Sequence, residues 1–287
     1  MEGLAQDILN GLLLGGLYAI VAIGLSTIFG IVKLVNLAHG DLMILAAYLS
    51  LFMVSALGVS PLLTLVAIIP VMFVIGYVLQ RFLLNRVLGE EMEPPLLVAF
   101  GVSIILQNFM LMTFTPDARS LMSGLSLMTF PLGGNLNVPV LYLINFCIAL
   151  AVIAGQHYFL QNTYMGRGIR AASDDKYAAK LMGINTPNTY AVAMGIAIMT
   201  AGVAGVLVGM TFTFYPHSGP QYLIIAFGVV VIGGLGSMKG TFVGGLILAL
   251  AQTLGARVFG PGYQLLCGYV VLLIVLAVKP QGIMGRG

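Results

Sequence analysis

Apolar residues fill this chain in long blocks, without the alternation of a half-buried sheet or the single stripe of a soluble helix. Runs free of Asp, Glu, Lys and Arg extend from Ile8 to Val32, Leu42 to Gln80, Pro94 to Pro116, Leu181 to Met238 and Val258 to Val278. A helix crosses a bilayer with about 20 apolar residues. Hydrocarbon offers backbone amides no partners, and nothing here repeats with the strand rhythm of a membrane barrel, so helices are the remaining solution. The pattern predicts an all-α, polytopic transmembrane helical bundle forming one domain over residues 1–287.

Polar and Gly/Pro breaks divide the blocks into nine predicted spans, near 8–32, 41–57, 61–80, 95–115, 139–160, 189–213, 222–236, 240–256 and 263–279. The count carries an error of about one, because 41–57, 222–236 and 240–256 are short and suit half-helices or re-entrant turns buried in protein. Glu2 and Asp7, not a basic leader, precede the first run, which is expected to be retained as a membrane helix. A weak internal echo links LAHGDLMILAA at 37–47 with SMKGTFVGGLI at 237–247. Transporters contain structural repeats whose broken helices meet near the substrate path.

Composition agrees: 60% of residues are hydrophobic and the mean hydropathy is +1.06. Glycine, at 37 of 287 residues, is well above its usual share of about 7%. Its GxxxG spacings at Gly11/Gly15, Gly205/Gly209, Gly236/Gly240 and Gly240/Gly244 suit close helix packing. Cys147 and Cys267 lie in apolar runs and indicate neither a disulfide framework nor a metal site.

Charge orients the bundle. With the N-terminus outside, alternating spans place Lys33, Arg81, Arg86, Arg167, Arg170, Lys176, Lys180, Lys239, Lys279 and Arg286 inside and leave Arg119 and Arg257 outside. That asymmetry follows the positive-inside rule and puts the 162–188 loop and the C-terminus in the cytoplasm.

NLAHGD at 36–41 is the most unusual cluster beside an apolar run, because Asn36, His39 and Asp41 bring polar groups to a membrane boundary. Two readings stay open. Asp41 caps a helix at 41–57 while His39 bonds a neighbouring carbonyl, or the cluster belongs to a pathway or gate. His39 and Asp41 are two apart, which does not put them on one helical face. The chain carries no HExxH or GxSxG and has His only at 39, 157 and 217, so metal or nucleophilic catalysis is unsupported. GGLGSMKGT at 233–241 lacks P-loop spacing, so no cofactor is expected on this chain and nucleotide chemistry belongs to separate subunits. Lys239 joins Asn36, His39 and Asp41 as a pathway candidate, and Tyr215, His217 and Gln221 suit a loop where an outside protein docks.

Of 12 Lys/Arg and 9 Asp/Glu residues, Arg167, Arg170, Asp174, Asp175, Lys176 and Lys180 crowd into one short segment. Asp174 and Asp175 precede a short predicted helix that includes Ala178 and Ala179 and that Gly183 terminates. Tyr177, Leu181 and Ile184 then form an apolar edge for docking into a groove.

YAAKLMG at 177–183 resembles the EAA signature of bacterial ABC importer permeases (Glu, Ala, Ala, three residues, Gly), with Tyr177 in place of the Glu. NGLLLGGLYAIVAIGLSTIFGIVKLVNLAHGDLMILAAYLS at 10–50, MGRGIRAASDDKYAAKLMGIN at 165–185 and GGLGSMKGTFVGGLILAL at 233–250 look like the H-type permease of branched-chain amino-acid importers. The resemblance runs nearly the whole length. It implies an inner-membrane transport subunit with no bond chemistry of its own. It also implies three kinds of partner: a paralogous permease, two ATP-binding cassette ATPases and an extracytoplasmic solute-binding protein. Related permeases import urea and short amides, the alternative substrates. An ion-coupled carrier or channel, and an intramembrane enzyme, are the readings from other classes. The resemblance makes 162–188 an ATPase-coupling loop.

Overall fold

The computed structural model describes residues 2–89, 93–133 and 136–285. α1 (Glu2–Val32) runs from what we call the amino-terminal face of the bundle to the opposite, loop face. It is followed by α2 (His39–Leu57) and by α3 (Pro61–Val78), which continues through a π turn (Leu79–Leu84) into α4 (Asn85–Val87). α5 (Glu93–Phe114) returns to the amino-terminal face, where a hairpin of β1 (Thr129–Gly133) and β2 (Leu136–Pro139) leads into α6 (Val140–Asn162). The loop face carries α7 (Tyr164–Asp174) and α8 (Lys176–Leu181). Then come α9 (Thr186–Thr211), α10 (Gly219–Gly233), α11 (Met238–Phe259) and α12 (Gln264–Val278). Eight helices among the described residues are long and apolar enough to cross a membrane, and α10, at 15 residues, is a half-helix.

Of the three short segments, 240–256 proves to be part of a full-length span, α11. The starts inside the bundle belong to α2 and α10. His39 Nε2 reaches the Val21 carbonyl at 2.9 Å, well short of the end of α1, so α2 begins deep inside the bundle. From Val32 the chain must climb back eleven residues of helix, about 16 Å at 1.5 Å each, and residues 33–38 do this without helix. Lys33 starts the reversal in the left-handed region at φ 58°. On the other side, residues 212–218 leave the end of α9 at the amino-terminal face and dip inward to the start of α10. Gly40 and Gly219 meet there, so closely that a Cβ on either would fall within atoms of the other segment.

The bundle is therefore two inverted units. α1, 33–38, α2, α3 and α5 match α9, 212–218, α10, α11 and α12 in order and with opposite direction. The units interlock: α11 packs along α1, with Gly11 and Gly15 admitting Leu250 and Leu246, and α3 packs along α9, with Gly76 against Met194 and Ile198. α1 and α9 form the core, each with 89% of its apolar window buried. The structure thus corrects the echo of 37–47 with 237–247. The counterpart of the α2 start is the α10 start, and the earlier similarity was two helix beginnings rich in small residues.

Small residues set the contact distance and hydroxyl or amide groups join the helices inside. Tyr18 donates to Gln252 Oε1 at 2.6 Å, Gln156 to Thr27 Oγ1 at 2.8 Å and Thr241 to Ser26 Oγ at 2.8 Å. Each pair replaces water where lipid would supply no partner. The C-terminal segment covers the end of the half-helix: Ile283 N–H and Met284 N–H donate to the carbonyls of Ile232 and Gly233, both at 2.9 Å. Those carbonyls lack intrahelical partners at any helix end.

The described cations predicted to share a side do so. Lys33, Arg81, Arg86, Arg167, Arg170, Lys176, Lys180, Lys239 and Lys279 lie at helix ends on the loop face, while Arg286 falls outside the described residues. Arg119 and Arg257, on the amino-terminal face, pair with Asp117 and Asp7.

Candidate transport site and coupling surface

The start of α2 is built by Asn36, whose Oδ1 accepts the Ala38 N–H at 3.1 Å and turns the chain into the helix. Helix begins at His39 with no side-chain cap, so Asp41 lies in the first turn and does not accept the initial amides. This corrects the capping alternative. Asp41 Oδ2 instead accepts a 2.5 Å hydrogen bond from Ser103 Oγ of α5, and Oδ1, packed against Gly219, has no hydrogen-bond partner among the described residues. Asp41 sits where the amino-terminal ends of α2 and α10 converge, and both ends present partial positive charge to it.

His39 points the other way. A carbonyl only accepts, so the bond to Val21 fixes the proton on Nε2, while Nδ1 is buried without a hydrogen-bond partner among the described residues, and the ring edge at Cε1 packs toward Gly24 of α1. His39 and Asp41 thus lie on different sides of α2 and do not form an acid/base pair. The His39 partner is 18 residues distant and on another helix, not the neighbouring carbonyl expected. Asn36, His39 and Asp41 are brought together in one buried layer. Lys239 is not: it is exposed in the first turn of α11 at the loop face.

A polar line continues from Asp41 toward the amino-terminal face. Gln107 Nε2 donates to Ser103 Oγ at 3.2 Å, and Gln107 Oε1 lies 3.2 Å from His217 Nδ1, an exposed imidazole. Ser103 and Gln107 were missed in the sequence, although two polar residues four apart within an apolar run are a readable signal. Tyr215, His217 and Gln221 are exposed as expected, but their loop dips into the bundle and His217 reaches α5.

The 162–188 segment holds two helices, not one. Thr163 accepts the Gly166 N–H at 3.0 Å to cap α7, and Ile169 and Ala172 press this amphipathic helix onto the bundle while Arg167 and Arg170 face out. Asp174 ends α7. Asp175 caps α8 by accepting from Tyr177 and Ala178 N–H at 2.8 and 3.0 Å. Gly183, at φ 81°, closes α8 as expected. Ile184 N–H then donates to the Ala179 carbonyl at 3.0 Å and the chain turns back on the bundle. Ile184 is therefore packed partly inward, which removes it from the predicted edge. Ala179 is buried, and the exposed apolar surface consists of Tyr177, Leu181 and Met182, at 70%, 89% and 83% exposure.

The profile of the family described as branched-chain amino acid transport system / permease component matches residues 7–277. The chain belongs to that family. It is 31% identical to the high-affinity branched-chain amino acid transport system permease protein BraD of Pseudomonas aeruginosa, over 98% of this chain and 95% of the relative. The permease protein LivH of the corresponding Escherichia coli K12 system is 31% identical over 98% and 95%. The ribose import permease RbsC of Haemophilus influenzae is 25% identical over 94% and 84%. The chain is a multi-pass membrane permease subunit and not an enzyme. The family context is that of an ABC importer, a machine of several components.

Proposed function

We propose that this permease carries branched-chain amino acids inward across a bacterial inner membrane, with its N-terminus outside and its C-terminus in the cytoplasm. It works beside a paralogous permease, above two ATPases that bind and hydrolyse ATP, and below a solute-binding protein. One observation carries the reading. On the protein face that gathers most of the described cations, a short capped helix holds Tyr177, Leu181 and Met182 out into solvent while Ala179 and Ile184 anchor it to the core. Three large apolar side chains held this way need a partner groove. Residues 162–188 act as the coupling loop, with Arg167, Arg170, Asp174, Asp175, Tyr177, Ala178, Ala179, Leu181 and Gly183 forming or shaping the surface. Asn36, His39 and Asp41 belong to the pathway or its gate, and Lys239 to the cytoplasmic end.

The test is ATP-driven uptake by the reconstituted complex with labelled leucine, in competition with urea and ribose. Leucine competes and the others do not. Competition by ribose alone supports the sugar reading that the similarity to a ribose permease keeps in view.

A further inference from the structure

The interlocked units differ in one place that the importer reading does not use. α12 is QLLCGYVVLLIVLAV, apolar after its first residue except for Tyr269, as suits a helix lying against lipid. Its inverted counterpart α5 carries Ser103, Gln107 and Asn108 well inside its length. Gln107 is half-buried and Asn108 exposed, and the only bond described for the Asn108 side chain goes to a carbonyl of its own helix, Ile104, at 2.8 Å. Amide side chains turned to hydrocarbon are costly, so this strip of α5 faces water or a polar partner. It is also the strip that leads to Asp41. Oδ2 takes the Ser103 hydroxyl, Ser103 takes Gln107, and Gln107 meets the exposed His217. Asp41 Oδ1, in a residue only 1% exposed, is left without a donor among the described residues.

We infer that this strip of α5, from His217 past Asn108 and Gln107 to Asp41, lines a water-filled passage for a zwitterionic amino acid, whose ammonium group approaches Asp41 when Gln107 swings aside. The inference rests on the importer reading and adds where the solute runs and which end leads. A buried carboxylate oxygen with no donor is matched by a cation, which removes the desolvation penalty that an uncharged amide such as urea leaves in place. The small cross-section at Gly40 and Gly219 brings the converging helix ends within reach of the same solute.

The test is cysteine labelling in the assembled transporter in membrane vesicles, on a Cys147→Ala, Cys267→Ala background. Gln107→Cys and Asn108→Cys are compared with Ile105→Cys and Phe109→Cys, two exposed apolar positions on the same helix. With a membrane-impermeant thiol reagent the two amide positions should react at least about tenfold faster, because thiols in hydrocarbon stay un-ionised and unreactive. Leucine delivered by its binding protein should slow the reaction at Gln107→Cys, and urea should not. Equal rates at amide and apolar positions overturn the passage, and urea protection or no protection by leucine overturns the zwitterion. If Gln107→Cys does not assemble, Asn108→Cys decides on the same criteria. Labelling needs no ATP hydrolysis. Fast, leucine-protected labelling without ATP-driven uptake would therefore sink the importer reading alone, and uptake with unlabelled amide positions would sink the passage alone.

Discussion

The two reversals that feed α2 and α10 share a plan and differ in chemistry. In each, a long buried helix ends, six or seven residues travel back to mid-depth, and a helix begins there in the opposite sense. At 33–41 the turn is made by the Asn36 side chain and delivers a carboxylate, Asp41, to the meeting point. At 212–220 it is made by a single 3-10 turn in which Ser218 Oγ accepts the Tyr215 N–H at 3.1 Å, and it delivers a glycine. The pairing teaches that one unit supplies the polar group and the other the space for it. The same division continues outward, with polar residues on α5 and an apolar α12.

Removing the space should have the largest effect. Gly219→Val adds a Cβ where Asp41 Oδ1 lies, and Gly40→Val adds one at the Gly219 carbonyl. The Gly219 carbonyl is backbone, and behind the Asp41 carboxylate, which Ser103 holds, lies the Asp41 backbone N at 2.8 Å from the added Cβ, so a cost at or above the usual overpacking cost of about 1–3 kcal/mol is expected. Size-exclusion chromatography should show loss of folded protein, and a well-folded Gly219→Val would break the pairing.

Removing the charge while keeping the shape should leave assembly intact. Asp41→Asn still accepts from Ser103, so we expect normal copurification with uptake reduced about tenfold, the equivalent of 1.4 kcal/mol. Retained uptake would mean that the carboxylate is only a packing group.

The coupling surface sits far from both reversals and should respond separately. Leu181→Ala removes much of a side chain whose burial against a partner is worth about 1.5–3 kcal/mol. ATPase copurification should weaken by about tenfold or more without loss of the folded permease. Ala179→Asp places a carboxylate in a buried site under α8 and should uncouple solute-stimulated ATP hydrolysis by displacing the helix. If both variants keep full coupling, the loop is not the transmission element.

The smallest effect belongs to a buried polar pair that we assign to structure alone. Tyr18→Phe strips Gln252 of its donor and should lower stability by about 1–2 kcal/mol, read as a drop in melting temperature in detergent. Uptake per folded molecule should stay unchanged, in contrast to Asp41→Asn.

Much of this was legible in residue order. Apolar run length gave the helical bundle, since hydrocarbon allows few other backbone solutions. Lys and Arg placement divided the loops between two faces that the structure keeps apart. Asp175, two alanines and Gly183 announced α8, because capping and helix termination depend on residues within one turn. NLAHGD drew notice for polar groups beside an apolar run. The direction of those groups did not follow. Whether Asp41 capped its own helix or bonded across the bundle depended on Ser103, 62 positions away, and Ile184 looked like surface until the turn at Gly183 sent it inward.

What the sequence determined by itself was which segments leave water and where local turns stop a helix, because solvation and capping act residue by residue. Only the tertiary structure decided that the units are inverted and interlocked, that α2 and α10 begin at mid-depth, and that one carboxylate stands between two helix ends. Those facts come from contacts between segments far apart in the chain. Glycines set their distances, and the matching hydrogen-bond partner appears only once both helices are in place.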